Sequence, residues 1–187
     1  MRKQFTYQIL CVAFISLGLW SCSSLSSAQK EANTKEITSW LDHKEVHIDL
    51  NTAYPRSSSA LQQLANSGLL APGNTSNVIN LSSSKSFITI HKDSINGYLP
   101  YYGTRHTAGR IGENGSIQFH DLPKNYSERL DPKTLTHHIA FEIPQKRSSE
   151  FFQIQIQIYP TKNVQVIVNS SQRDGISYKG TAQELKE

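Results

Sequence analysis

Strict alternation of apolar and polar residues in the last third of the chain is the feature that most limits its fold. In FFQIQIQIYPTKNVQVIVNSS, residues 151–171, the even-numbered positions from 152 to 158 are apolar and glutamines lie between them. Valines resume the alternation at 164, 166 and 168, after a turn at 160–163. Because successive side chains of a strand point to opposite faces, this pattern predicts an antiparallel hairpin with one buried and one solvated face.

Shorter stretches with the same period occur throughout the chain: VHIDLN, SFITIHKD, SIQFHDL and HHIAFEIP. A turn at Asp174-Gly175 is followed by a further predicted strand from Ile176. Many short strands separated by turn signals are typical of a sandwich or a barrel. The sequence therefore predicts a mainly β fold, a single antiparallel β-sandwich or flattened barrel of about seven to nine strands.

Helical spacing is found in two places. Ile37, Trp40 and Leu41 lie at positions i, i+3 and i+4, which predicts a short N-terminal helix over about 34–43. The segment ALQQLANSGLL favours a second short helix that ends at Gly68.

The first 21 residues are typical of a signal peptide. Arg2 and Lys3 precede about 14 mostly apolar residues, 7–20, whereas a membrane-spanning helix needs roughly 20. Cys22 follows Leu19-Trp20-Ser21, which resembles a bacterial lipobox. We therefore expect cleavage before Cys22 and lipidation of that cysteine; ordinary secretion with a free thiol is the alternative.

The segment that follows Cys22 is serine-rich and polar, which predicts a flexible tether over 22–33 and a single domain over 34–187. It has no block of acidic residues of the kind that resembles a surface-export tag. We therefore expect the lipid to anchor the protein on the periplasmic face of the outer membrane, so that the membrane is one of its partners.

The charge balance gives little reason to expect a nucleic-acid partner. Loss of Arg2 and Lys3 with the signal peptide lowers the formal charge from +4 to +2. No basic run is interleaved with aromatic residues, as nucleic-acid binders require.

The tyrosine-rich segment GYLPYYGTRH is the first candidate for binding a glycan, a peptide or an envelope protein. Exposed tyrosines stack on sugars or peptides, and an arginine suits an anionic group. Its alternative is structural, with one tyrosine in the core. The candidate residues, including an arginine in the later turn, are Tyr98, Tyr101, Tyr102, Arg105, His106 and Arg173. Arg173 has the structural alternative of pairing with Asp174 or Glu142.

Chemistry-bearing motifs are otherwise weak. The seven histidines lack the spacing of a metal site, and neither a nucleophile elbow nor a phosphate-binding glycine loop is found. We therefore expect no catalytic residues, no metal and no cofactor. Asp93-Ser94-Ile95 resembles an O-glycosylation signal with Ser94 as acceptor, although a hairpin turn explains the same residues.

Two stretches together resemble a known family. GYLPYYGTRHTAG is followed by RIGENGSIQF and, some fifty residues later, by VIVNSSQRDGISYKG. With AYP at 53–55 and the lipobox, this set is similar to domain-of-unknown-function family 4251 (DUF4251), a family of Bacteroidetes lipoproteins. The resemblance covers about 37–181 and implies a location and a fold rather than a chemistry.

The sequence as a whole favours a lipid-anchored envelope protein that binds a ligand or a protein without catalysis. The alternatives are a structural or assembly component of an envelope complex and, less favoured, a hydrolase.

Overall fold

The computed structural model describes residues 25–56, 58–107, 115–146 and 148–186 and, at Ala60, the backbone alone. Within these residues the chain forms two helices, α1 (Ser27–Asp42) and α2 (Ser59–Asn66). It also forms ten strands: β1 (Glu45–Pro55), β2 (Ile79–Asn80), β3 (Phe87–His91), β4 (Ser94–Leu99), β5 (Ile117–Asp121), β6 (Lys124–Asp131), β7 (Thr136–Pro144), β8 (Phe151–Ile158), β9 (Asn163–Asn169) and β10 (Ile176–Glu184). The predicted mainly β fold is confirmed.

Nine of the strands form one antiparallel sheet in the order β5-β4-β3-β1-β10-β9-β8-β7-β6, and β2 pairs with β1. The two edge strands, β5 and β6, are separated along the chain by only residues 122–123. The sheet curls into a half-barrel that brings β5 close to the end of β7, where the backbone N–H of Lys146 donates to the carbonyl of Gln118 in β5 at 2.7 Å. This single curled sheet corresponds to the flattened-barrel alternative rather than to two stacked sheets.

The alternation assigns the faces of the long hairpin correctly. Ile154 and Ile156 of β8 are 1% and 0% exposed, whereas Gln153 and Gln155 lie on the solvated face. In β9 the valines at 164, 166 and 168 are all buried. Burying an isoleucine or valine side chain stabilises a fold by about 1.5–3 kcal/mol, so the inward-facing residues of the hairpin are a major part of the core.

Helix α1 begins seven residues before its predicted start. The side chain of Ser26 caps it by accepting from the backbone N–H of Gln29, so residues 27–33, predicted as tether, are helical. The helix buries Ile37, Trp40 and Leu41, as their spacing predicts. Neither described helix is long and apolar enough to cross a membrane.

Helix α1 packs over one end of the curled sheet. The side chain of Asn33 donates to the carbonyl of Pro160 at 2.8 Å, and Lys162 pairs with Glu36 at 2.7 Å. Pro160 and Lys162 lie in the turn between β8 and β9, so we call this the helix end. The opposite end, where β7 leads into β8 and β9 leads into β10, is the loop end.

Strand β6 forms an edge with no buried residue. Its register with β7 shifts between Lys124 and Ser127, and charged side chains lie along it, including Glu128 and Arg129. A bulge and a row of charges both discourage a further strand from pairing with an edge.

Gly180 allows β10 to approach β1 closely. A Cβ atom at Gly180 would collide with the backbone of Asp49 and Leu50. The register between the two strands shifts at this point, between Leu50 and Thr52. A glycine here serves the close approach of two backbones.

Candidate functional site

Two candidate segments that lie about 70 residues apart in the sequence meet at the loop end. Arg105 and Arg173 form an isolated antiparallel β-bridge. The backbone N–H of Asp174 donates to the carbonyl of Thr104 at 3.0 Å. Segment 101–107 is therefore held beside the connection between β9 and β10.

A buried ion pair ties this region together. Arg173 is 2% exposed and donates from Nε to Oε1 of Glu150 at 2.8 Å and from Nη2 to Oε2 at 2.6 Å. Glu150 is 1% exposed and also accepts from Oγ of Ser170 at 2.6 Å. The remaining guanidinium nitrogen, Nη1, donates to the carbonyl of Gly115 at 2.8 Å. One bidentate pair thus connects segments at residues 115, 150 and 170–173.

Sequence reasoning missed Glu150, and it named the wrong partners for Arg173. Neither Asp174 nor Glu142 pairs with the guanidinium in the described structure. The signal for Glu150 was in the alternation itself: if the even-numbered positions from 152 face inward, so does 150. A charge at an inward position needs a buried partner, and Arg173 is that partner.

Tyr101 packs on the ion pair and is not an exposed platform. The guanidinium carbon of Arg173 lies 4.9 Å from its ring centroid. Its hydroxyl lies within hydrogen-bond distance of two backbone carbonyls, Thr104 at 2.9 Å and Asp174 at 3.0 Å. Burial, followed by the charge of Asp174, raises the pKa of Tyr101 to about 12. These contacts are those of a structural side chain.

The other two candidate tyrosines are half-buried as well. Tyr102 packs against the core, and burial raises its pKa. The hydroxyl of Tyr98 accepts from Oγ of Ser116 at 3.3 Å. The binding interpretation requires an exposed tyrosine, but the rings of Tyr101 and Tyr102 are both partly covered.

The side chains of Arg105 and His106 extend from the region of the buried pair to the protein surface. The Nη2 atom of Arg105 lies 4.0 Å from Oε2 of Glu150, and its side chain is 20% exposed. His106 is 53% exposed, with Nε2 3.2 Å from a carboxylate oxygen of Asp174. We define the loop surface as residues 104–107 and 170–174, which contact each other and which the buried pair supports from below.

The cleft beside this surface has a different chemistry. It has a volume of about 370 Å³ and its lining is polar except for one ring that is 47% exposed, that of Phe151. We call it the Phe151 cleft, and its described lining residues are Glu142, Phe151, Gln153, Asn169, Ser170 and Ser171. It shares Ser170 and Ser171 with the loop surface.

One arrangement elsewhere resembles hydrolase chemistry. On the outer face of the sheet, Nδ1 of His47 lies 2.8 Å from Oγ1 of Thr89, and its Nε2 lies 3.2 Å from Oδ1 of Asp49. A cleft of about 520 Å³ lies beside it. However, Thr89 is in the middle of β3 and its strand is paired on both sides, with β1 and with β4. Its backbone is thus occupied, whereas acyl transfer needs amide donors aimed at a developing oxyanion.

The remaining candidate residues are placed as follows. Ser94 begins β4, and its hydroxyl donates to the carbonyl of His91 at 3.2 Å within the β3–β4 hairpin. Cys22 lies outside the described residues. In the part of the chain that the structure describes, no group of three or more His, Cys, Asp or Glu side chains is placed to hold a metal ion.

The chain matches a protein-family model. A family model described as "Domain of unknown function (DUF4251)" matches residues 28–182, a range that includes α1 and all ten described strands apart from the first residue of α1 and the last two of β10. No curated protein matches this chain.

Proposed function

Because the chain belongs to the DUF4251 family, whose description assigns no activity, we propose its function from the surface that it presents. It is a non-enzymatic binding module, anchored in the bacterial cell envelope by a lipid on Cys22, and it binds its partner through the loop surface. The partner is a component of the same envelope.

The buried Glu150–Arg173 pair is the observation that carries this proposal. It lies beneath the loop surface and fixes three chain segments by directional, charge-assisted hydrogen bonds. A surface held in one conformation loses less entropy when it binds, which is how preorganisation increases affinity. The exposed groups at that surface include the imidazole of His106 and the side chains of Thr104 and Thr107.

The position of the loop surface also supports a binding role. The described chain begins at residue 25, and α1 packs over the helix end. Strand β8, of eight residues, runs from the loop end to the helix end, a distance of about 26 Å at roughly 3.3 Å per residue. A lipid on Cys22 would place the helix end toward the membrane and the loop surface away from it.

Two rival functions receive less support. Assembly by strand addition needs an open edge, but β6 has a bulge and charged side chains, and the segment after β7 bonds to Gln118 on the other edge strand, β5. Hydrolysis would centre on His47 and Thr89, where the paired strand offers no free backbone donors. If a His47→Ala variant bound its envelope partner as well as the parent does, binding would not depend on that second site.

Site-specific photo-cross-linking in cells tests the binding role. A photoreactive residue at His106, which is exposed at the loop surface, should cross-link to a discrete envelope component. The matched control is the same residue at Leu130, which is 40% exposed on β6. Equal cross-linking at both positions, or none at position 106, would contradict the proposal.

The lipid anchor is tested by cell fractionation. Cys22→Ala should move the protein from the membrane to the soluble periplasmic fraction, since two or three acyl chains give stable attachment where one does not. Cys11→Ala, in the predicted signal peptide, is the control and should leave the protein in the membrane. Membrane retention of the Cys22→Ala variant would exclude the anchor.

A further inference from the structure

We propose that the Phe151 cleft binds an uncharged oligosaccharide. This inference rests on the proposed binding function and deepens it by naming the class of ligand. The inference depends on the ring of Phe151 and on a row of polar side chains beside it. None of these residues was predicted from the sequence as a binding residue, and the family description assigns no site.

Phe151 supplies the apolar surface that a sugar ring requires. It is the first residue of β8 and faces outward, because its neighbour Phe152 faces the core. The residue is 47% exposed, and a free aromatic face can stack on the C–H face of a pyranose and bury a large apolar area. The ammonium of Lys124 lies over one face of the ring, 5.2 Å from its centroid, so a sugar would stack on the other face.

Three planar polar side chains lie in a row next to this ring. Glu142, Gln153 and Asn169 are register partners on the neighbouring strands β7, β8 and β9. Strands are about 4.8 Å apart, so the row extends over about 10 Å, comparable with two linked sugar units. Carboxylate and amide groups together offer both acceptors and donors, which is what vicinal hydroxyls need.

The carboxylate of this row is held in position but not saturated. Gln153 donates to Oε1 of Glu142 at 3.3 Å, and Asn125 donates to Oε2 at 3.1 Å. An ionised carboxylate has about four acceptor sites, so two remain for ligand hydroxyls.

The charge of the cleft favours a neutral ligand over an anionic one. Among its described lining residues, Glu142 is the one with a formal charge. Lys124 is the register partner of Glu142 on β6, but its ammonium lies over the ring of Phe151, and no ion pair joins it to Glu142 among the described residues. A phosphate or a uronic acid would meet the carboxylate without a compensating cation in the described lining.

Titration calorimetry with defined oligosaccharides tests the proposal on the full chain purified in detergent. The neutral probes are tetrasaccharides of glucose, mannose and N-acetylglucosamine, and the anionic control is a tetrasaccharide of galacturonic acid. We expect at least one neutral probe to bind and the anionic probe to bind at least about 10-fold more weakly.

Variants locate the binding. Phe151→Ala and Glu142→Gln should each weaken binding by about 10-fold or more, since a few central residues contribute most of the affinity. Leu122→Ala, which removes a 61% exposed side chain between β5 and β6, should leave binding unchanged. All three variants should unfold at temperatures close to that of the parent.

The outcomes separate this inference from the proposed function. No binding of any neutral probe up to about 10 mM, binding that is insensitive to Phe151→Ala and Glu142→Gln, or a preference for the anionic probe would each overturn the inference. If the probes fail while position 106 still cross-links an envelope component, the binding function stands with another class of ligand. If cross-linking fails as well, both proposals are wrong.

Discussion

Replacing Glu150 by glutamine should destabilise the protein more than any other conservative change of a carboxylate. Glu150 accepts two hydrogen bonds from Arg173 and one from Ser170, and both members of the ion pair are almost fully buried. The arginine cannot release its proton, so Glu150→Gln leaves a full positive charge in the protein interior. Breaking a buried pair from one side costs about 3–5 kcal/mol.

Urea unfolding followed by circular dichroism measures this loss. With a slope of about 2 kcal/mol per M, the midpoint should fall by roughly 1.5–2.5 M. Glu142→Gln is the matched control, because Glu142 also accepts two side-chain hydrogen bonds but lies on the outer face. That variant should lose about 1 kcal/mol or less. Equal shifts for the two variants would refute the claim that burial of the pair determines its cost.

A double substitution distinguishes stability from positioning. Glu150→Met with Arg173→Met removes both charges, and apolar replacement of a buried pair is often neutral or stabilising. We expect this variant to regain most of the stability that Glu150→Gln loses. Cross-linking from position 106 should nevertheless fall, because no directional bond then connects the segments at residues 115, 150 and 170–173.

Three further predictions concern the sheet and one buried histidine. Gly180→Ala should lower the free energy of unfolding, measured in urea, by at least about 3 kcal/mol, since the added Cβ would collide with the backbone of β1. Ile156→Asp should lower the free energy of unfolding by more than about 3 kcal/mol, because it buries a carboxylate. Gln155→Asp should lower it by less than about 1 kcal/mol, because this side chain faces solvent. Similar melting curves for the two variants would contradict the assignment of faces. Burial lowers the pKa of His137 in the folded state. The unfolded chain therefore binds its proton more tightly, and the contribution of His137 to stability is present above pH 6.5 and is lost as the pH falls below it. His137→Phe should reduce that acid slope, and an unchanged slope would exclude His137 as its source.

The alternation predicts faces wherever a strand has one buried and one wet side. For that reason it located β1, β3, β5, β7, β8 and β9, but β4, whose buried side includes Gly97, was not predicted. It gave no signal for β6, in which KNYSERLD buries no residue, because an edge strand with two solvated faces has no hydrophobic period. The first two turns of α1 were missed for a related reason: residues 27–33 include no large apolar residue, so composition alone resembles a tether.

The candidate site depends on contacts between distant segments, which local sequence patterns do not predict. Arg105 and Arg173 were both identified as residues that could bind a ligand, but their bridge across about 70 residues depends on how the sheet curls. Burial then changes the role of Arg173, because a side chain that is 2% exposed does not contact a ligand from solvent. The alternation of faces along residues 152–158, extended back to residue 150, could have predicted that Glu150 is buried, although not the identity of its partner.

An ion pair supports the loop surface in a way that an apolar cluster would not. Hydrophobic contact is roughly proportional to area and has no preferred direction, so an apolar cluster allows several packings of similar free energy. The bidentate geometry of Arg173 with Glu150 specifies both distance and angle. Its third bond, to the carbonyl of Gly115, fixes a further residue, which lies outside the described helices and strands. A protein that only had to be stable would gain little from this arrangement, whereas a protein that must present loops in one conformation to a partner gains the orientation that binding requires.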